Sequence, residues 1–453
     1  MPYLLVPHEV SATQATIWIG AVDERVGGEA LTCEPGAGRH PLDEGWERWE
    51  TRPGGRSIAF QRVTVSGLRP RTTYSLALHA GGHIEASGTV TTFPESLPGP
   101  GERPFVVLLG SCFYAREDKT GRAGNAFFHV PAALRPDVKF LSGDQVYLDA
   151  PWLHFLVDTH SEEQMREEFL DTYLRSWSQQ GPAMGLGELL RHGATYFCSD
   201  DHDLWNSAPN KCIYARDTWT DSGRDRWLRV ARDLYRVFQS TALVRRFSVG
   251  TLSFLVLDTR LERRADRSQF MPPESMLAVE EWISGLNGPG VLVCGQPIFA
   301  ERAGIKGHLT DWELPDYDQY PSLVRLLAAT RHSIVILTGD VHFGRVATCR
   351  LPSGLELLEV ISSPLALVDK AVGGSWKKAP DFFPSFDIPG MVKAPVQTET
   401  YALTDNHFLT LEFSAMGGGV SVVVRAWPIT EGGTIERSTV VYRRPGRAGG
   451  AIH

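Results

Sequence analysis

The stretch Val138–Asp149, VKFLSGDQVYLD, opens as a short apolar run and stops on Ser142-Gly143-Asp144. The pattern returns at Ile334–Gly344, IVILTGDVHFG, where the run stops on Thr338-Gly339-Asp340. Short apolar runs bounded by turn formers are expected to be buried strands. FVVLL (105–109), ATYF (194–197), LSFLVL (252–257), VLVC (291–294) and LELLEVI (355–361) share the character. Between them, 162–177, 226–240, 273–286 and 320–330 carry helical periodicity, the third with proline at its start. Strands alternating with helices predict an α/β (α+β) domain with central β-sheets flanked by helices. In such sheets ligands bind beyond the carboxyl ends of the strands. The other runs stop on Gly110-Ser111-Cys112, Ser199-Asp200-Asp201-His202, Asp258-Thr259-Arg260 and Cys294-Gly295-Gln296. These clusters are expected to converge on one edge.

That edge would hold a thiol (Cys112), carboxylates (Asp144, Asp201, Asp340), a phenol (Tyr147) and an imidazole (His342). Hard oxygen donors suit calcium, magnesium, manganese or ferric iron, whereas thiolate and imidazole suit a transition metal. Two unlike ions fit this mixture better than one. Cations also answer the crowding in Phe197–Asn206, FCSDDHDLWN, because they hold adjacent carboxylates ionised that would otherwise repel one another. Simpler readings stand beside these: Cys112 as a small buried hydrophobe, Tyr147 as a core aromatic, Asn206 as a turn former. Asp200 reads as a cap, Asp203 as a hydrogen-bonding neighbour of the ligands, and Arg260 as a structural ion-pair partner outside the site. His129, His154, His160, His192, His308, His332 and His407 read as surface or satisfied core histidines. The polar segment 304–321 around His308 is long enough to form a lid.

Ahead of residue 95 the texture differs. ATIWIGAV (15–22), SIAFQRVTV (57–65), TTYSLALHA (72–80) and ASGTVTTF (86–93) are short β-type runs separated by turns, the pattern of a small sandwich. Tyr74, just past a turn, stands where sandwich domains place a tyrosine whose hydroxyl caps the preceding corner. This part resembles a fibronectin type III domain. The Pro/Gly-rich stretch Pro94–Pro104 reads as a linker. The expected organisation is an N-terminal β-sandwich over 1–95, a linker over 96–104, a catalytic domain over 105–430 and a C-terminal segment over 431–453.

Composition removes several classes of function. The 453 residues carry 45 basic and 53 acidic side chains, a formal charge of -8, without the basic runs that nucleic acid or an anionic membrane demands. No segment approaches the ~18 uninterrupted apolar residues of a membrane span. The start, MPYLLVPHEV, has no basic segment leading into an apolar core, so a cytoplasmic location is expected. Six scattered cysteines without a CxxC pair do not form a disulfide framework.

The ordered set GSCFYA (110–115), FLSGDQVYLD (140–149), CSDDHDLWN (198–206), LVLDTR (255–260) and VILTGDVHFG (335–344) resembles the PhoD-like alkaline phosphatases of the calcineurin-like metallophosphatase superfamily. The resemblance runs over roughly residues 105–415, and many relatives carry a sandwich ahead of the catalytic domain. It implies hydrolysis of a phosphoester by a metal-bound hydroxide at a dinuclear site. Asp144 would bridge the ions. Cys112, Tyr147 and His342 would complete a ferric site, and Asp201 and Asp340 would join Asp144 around calcium, with manganese, zinc or magnesium as other occupants. His202 would donate a proton to the reacting group and Asn206 would touch substrate. Asp203 stands where the family has glutamate, and the family's twin-arginine signal is missing. A phosphodiesterase or phospholipase D-type activity is the nearer alternative, and a non-catalytic binding protein on the same fold the more distant one. Monoester or diester, the physiological small-molecule or lipid substrate, and the oligomeric state are not legible.

Overall fold

The computed structural model describes residues 3–118, 121–150, 160–177, 185–304, 307, 311–351, 353–366, 397–417, 419–435 and 437–444. His154 and His308 lie outside them. Eight strands build the N-terminal part: β1 (Tyr3–Val10), β2 (Gln14–Val22), β3 (Ala30–Glu34), β4 (Gly38–Pro41), β5 (Glu47–Glu50), β6 (Ser57–Ser66), β7 (Thr73–Ala80) and β8 (His83–Thr91). They form two four-stranded sheets, β1-β2-β6-β5 and β4-β3-β7-β8, as a β-sandwich. The tyrosine corner is present: the Arg69 backbone N–H donates to the Tyr74 hydroxyl at 2.8 Å, and the Tyr74 ring is buried.

Beyond it run β9 (Phe105–Gly110), β10 (Val138–Ser142), β11 (Ala194–Cys198), β12 (Val244–Val249), β13 (Leu252–Leu257), β14 (Gly290–Val293), β15 (Ile334–Thr338), β16 (Gly344–Arg350), β17 (Glu356–Ile361), β18 (Gln397–Leu403), β19 (His407–Met416), β20 (Gly419–Pro428) and β21 (Thr439–Arg444). The helices among the described residues are α1 (Arg122–Phe128), α2 (Glu162–Trp177), α3 (Gly187–Leu190), α4 (Asp221–Phe238), α5 (Pro273–Ser284) and α6 (Tyr320–Ala328). One sheet has the order β11-β10-β9-β19-β20-β21 and the other β12-β13-β14-β15-β17-β16-β18. The first is parallel in the half formed by β11-β10-β9 and antiparallel beyond it, whereas the second has a parallel centre, β13-β14-β15-β17, with antiparallel strands on both sides. β21, within the stretch set apart above as a C-terminal segment, pairs with β20 at the edge of the first sheet.

Strand alternation sorts the apolar residues into layers. Val107, Leu109 and Phe140 meet Phe254, Val293 and Val335 between the sheets, in a core continuous with that of the sandwich. Leu108, Leu141 and Phe197 on the first sheet's other face pack under Phe169, Leu234 and Phe238 of α2 and α4. Leu255, Leu292 and Ile336 pack under Val279 of α5 and Leu323 of α6. The result is two sheets face to face, each covered outside by helices. No helix among the described residues is long and apolar enough to cross a membrane.

The sandwich docks on the α/β layers through specific bonds. Trp18 Nε1 donates to the Val237 carbonyl at 2.7 Å at the end of α4, and Arg62 donates to the same oxygen at 3.1 Å. Thr89 of β8 exchanges backbone hydrogen bonds with the 191–193 turn ahead of β11. Leu97, inside the expected linker, is buried.

Candidate metal centre

Parallel strands of both sheets deliver their ends to one place. Cys112 follows β9, Asp144 follows β10, Asp200 to Asp203 follow β11, Arg260 follows β13, Gln296 follows β14, and Asp340 and His342 follow β15. The close approach explains a glycine: a Cβ on Gly339 would lie 2.4 Å from Ser111 Cβ, so only glycine lets these two turns meet. Cys112, Asp144, Asp340 and His342 themselves have φ of 57°, 59°, 69° and 56°. Non-glycine residues in this left-handed region cost on the order of 1–3 kcal/mol each and persist where surroundings over-determine them. Those surroundings are visible. Cys112 N–H donates to the Gly143 carbonyl at 3.2 Å, Phe113 N–H to the Asp144 carbonyl at 2.7 Å, and His342 N–H to the Ser363 hydroxyl at 3.0 Å.

Among the described residues three groups of donor atoms result, each with its atoms within 4.8 Å of one another: Cys112 with Asp144 and His342; Asp144 with Asp201 and His202; Asp200 with Asp311 and Asp340. The first two share Asp144. Tyr147 borders the first, its hydroxyl 3.5 Å from His342 Nε2, and its ring stacks on His202 at 4.2 Å. The Asp340 carboxylate joins Asp200 and Asp311 in the third group, with Asp201 the strongest of its charged neighbours. The Asp340 main-chain carbonyl is 3.2 Å from Cys112 Sγ.

Burial, then Asp201, pushes the Asp144 carboxyl well up, and burial followed by Asp201 and Asp311 raises Asp340 to about 7 against Arg260 and Gln296. Burial raises the Cys112 thiol strongly, helped by Asp144 and Asp340 and opposed by Ser111 and Ser363. Burial opposes a charge on His202, but Asp149, Asp201 and Asp144 outweigh it and hold the imidazole well above its usual range. Asp200 Oδ2 and Asp201 Oδ1 are buried without a hydrogen-bond partner among the described residues. Buried, mutually repelling carboxylates with unsatisfied oxygens, beside a thiol and an imidazole, are a donor set that cations fit.

Three residues outside the candidate set prove central. Asp149 Oδ1 lies 2.7 Å from His202 Nδ1, while its Oδ2 accepts from Asn206 N–H at 2.7 Å and from the Tyr214 hydroxyl at 3.2 Å. It, and not the adjacent Asp203, is the carboxylate on the His202 ring. Asp203 instead caps backbone, accepting from the N–H groups of Asp144 at 2.8 Å and Asp200 at 3.0 Å. Asp200 accepts from Asp201 N–H at 2.9 Å, the capping role read from sequence. Arg260 is fully buried and grips Asp311 with two hydrogen bonds of 2.7 and 2.9 Å. It is thus an ion-pair partner, yet it also lies 3.7 Å from Asp200 and 3.9 Å from Asp201. Asp311, from the expected lid segment, also accepts from Gln296 at 2.6 Å. Asp149 stands within five residues of Asp144 in a stretch already singled out, so proximity to a chemical motif could have flagged it. Asp311 had no comparable signal. Asn206 turns its side-chain oxygen to the Ser207 hydroxyl at 3.0 Å.

A solved structure described as "Structure of PhoD" matches this chain with a TM-score of 0.60 at 13% sequence identity, covering 96% of this chain and 92% of that one. No family model and no curated protein sequence matches the chain. The fold is PhoD-like over nearly the whole length.

Proposed function

We propose that this chain is a metal-dependent phosphoester hydrolase with a dinuclear centre. The observation that carries the reading is the sharing of Asp144 between two donor groups at the strand ends of a PhoD-like fold. Cys112, Tyr147 and His342 would hold one ion with Asp144, ferric iron by resemblance. Asp201 would hold the second with Asp144, calcium by resemblance, with Asp340 close by. Bound there, the pair would neutralise phosphoryl charge and acidify a water.

The chain's own groups supply the rest. Asp144 sets the spacing of the two positions. Asp149 on Nδ1 fixes the His202 ring and favours its protonated form, which leaves Nε2 to deliver a proton to the departing oxygen. Asn206, its main chain fixed on Asp149, would offer its amide nitrogen to a substrate oxygen.

Elemental analysis of purified protein, joined to assays of mono- and diester substrates with several metals, tests the reading. The expected result is two ions per chain, one of them a transition metal, and hydrolysis that chelation abolishes. Tyrosinate or thiolate on ferric iron would colour the protein. Full activity in protein free of metal would overturn the proposal, whereas a colourless active zinc or manganese form would remove the iron assignment alone.

A further inference from the structure

Ser363 follows β17 and is fully buried, and its hydroxyl touches two of the strand ends just described. It donates to Cys112 Sγ at 3.1 Å and accepts the His342 backbone N–H at 3.0 Å. The contact is built into the backbone. Leu365 N–H donates to the Ser111 carbonyl at 2.8 Å, Ala366 N–H to the Cys112 carbonyl at 3.1 Å, and Tyr114 N–H to the Ala366 carbonyl at 3.0 Å. Segment 362–366 is thus laced along 111–114, and the Ser111 hydroxyl donates to the Ser362 carbonyl at 2.9 Å.

The other atoms near Cys112 Sγ are chiefly acceptors: Asp144 Oδ2 at 3.5 Å and the Asp340 carbonyl at 3.2 Å. A thiolate there faces two oxygens that repel it and needs donors in compensation. Ser363 supplies the shorter of the two serine contacts, the Ser111 hydroxyl standing 3.5 Å away.

We propose that Ser363 is a positioning residue of the metal centre: its hydroxyl draws charge from the Cys112 thiolate and pins the His342 turn, and so sets the affinity and electronic character of an ion held at Cys112. The inference rests on the metal reading above. Ser363 would act through Cys112 and His342 and not as a ligand itself. A hydrogen bond to a ligating sulfur weakens its donation to the metal, which moves the thiolate-to-metal charge-transfer band to higher energy. Loss of such a supporting partner typically costs about 10–100-fold in metal affinity.

Cobalt(II) titration of metal-stripped full-length protein, read by near-ultraviolet charge transfer, tests this in wild type, Cys112→Ser, Ser363→Ala, Ser363→Thr and Ser363→Cys. Wild type is expected to show a band that Cys112→Ser lacks. Ser363→Ala should shift that band to longer wavelength and weaken cobalt binding roughly 10-fold or more. Ser363→Thr, which keeps the hydroxyl, should restore both, and Ser363→Cys, a poorer donor of similar size, should shift the band less in the same direction. Should Ser363→Ala fail to fold by circular dichroism, the Cys and Thr pair decides. A wild-type band whose position and affinity do not change in the Ser363 variants would overturn the role of Ser363 alone. Absence of a Cys112-dependent band in wild type would remove the metal from Cys112 and the role of Ser363 with it.

Discussion

His202 Nδ1 lies 2.7 Å from Asp149 Oδ1, and both side chains are largely withdrawn from solvent. Carboxylate and imidazole form a dyad at the edge of the Asp144–Asp201 group. If the dyad delivers a proton, its members act as one unit. His202→Ala is expected to slow alkyl phosphoesters by about 10²–10⁴, and aryl esters with acidic leaving groups far less. Asp149→Asn should follow the same leaving-group trend, and the double variant should be little worse than His202→Ala. Additive losses, or equal slowing across the leaving-group series, would show that the dyad does not transfer a proton. Loss of metal in His202→Ala would make His202 a ligand.

Asp144 and Asp203 are adjacent in space but differ in task. Asp144→Asn should release metal and activity while leaving the metal-free fold as stable or more so, since it removes one of several repelling carboxylates. Asp203→Asn can keep an oxygen on the Asp144 and Asp200 N–H groups, which share Oδ2, but it then turns an NH₂ toward the Val146 N–H and the Gln239 amide that now donate to Oδ1, and should cost about 1–3 kcal/mol of metal-free stability. Thermal melts after chelation separate the two.

Arg260 is predicted to matter more than its exclusion from the sequence-based site suggested. Arg260→Met leaves Asp311, Asp200 and Asp201 crowded together with Gln296 and the more distant Arg263 as Asp311's remaining partners, a loss of up to roughly 3–5 kcal/mol for breaking a buried pair. Adding Asp311→Leu removes the stranded partner and should recover much of the stability, though not the metal content. Denaturant melts of the single and double variants check this.

A pH signature lies away from the centre. His160 Nδ1 is 2.6 Å from Asp217 Oδ2, a contact that chiefly raises the His160 pKa, while Asp217 is lowered by His160 and Arg226 against its burial. A raised histidine contributes stability fully below its unfolded pKa of about 6.5 and loses it as pH rises through the folded value. Asp217→Asn should therefore lower the melting temperature more at about pH 6 than at about pH 9. The Arg226 contact is lost at both, so the difference reports His160.

Much of this molecule is legible in one dimension because its chemistry sits at strand ends. Gly143-Asp144 and Gly339-Asp340 announce themselves by interrupting apolar runs, and the β10 and β15 residues that precede them are buried throughout. The antiparallel strands are harder to read. β12, VRRFSV, carries two arginines on a half-exposed edge, and its apolar run is too short to stand out. β20 does alternate, with Val420, Val422 and Val424 buried, but alternation alone does not say which sheet it joins. Pairings across distance are hidden for a different reason. Asp149 meets a histidine 53 positions away, and Asp311 meets an arginine 51 positions away from a segment without periodicity. Neither contact leaves a local mark in the chain.

The left-handed backbone at Cys112, Asp144, Asp340 and His342 has a consequence for anyone who selects this protein for heat resistance in the laboratory. Each position is one where glycine would relax the chain at the expense of a donor atom. Screens scored on residual fold rather than turnover should therefore collect glycine at these four sites. On the metal reading proposed above, the surviving clones would be sturdier and inert, because the same torsions that hold the donors together are a standing reservoir of instability.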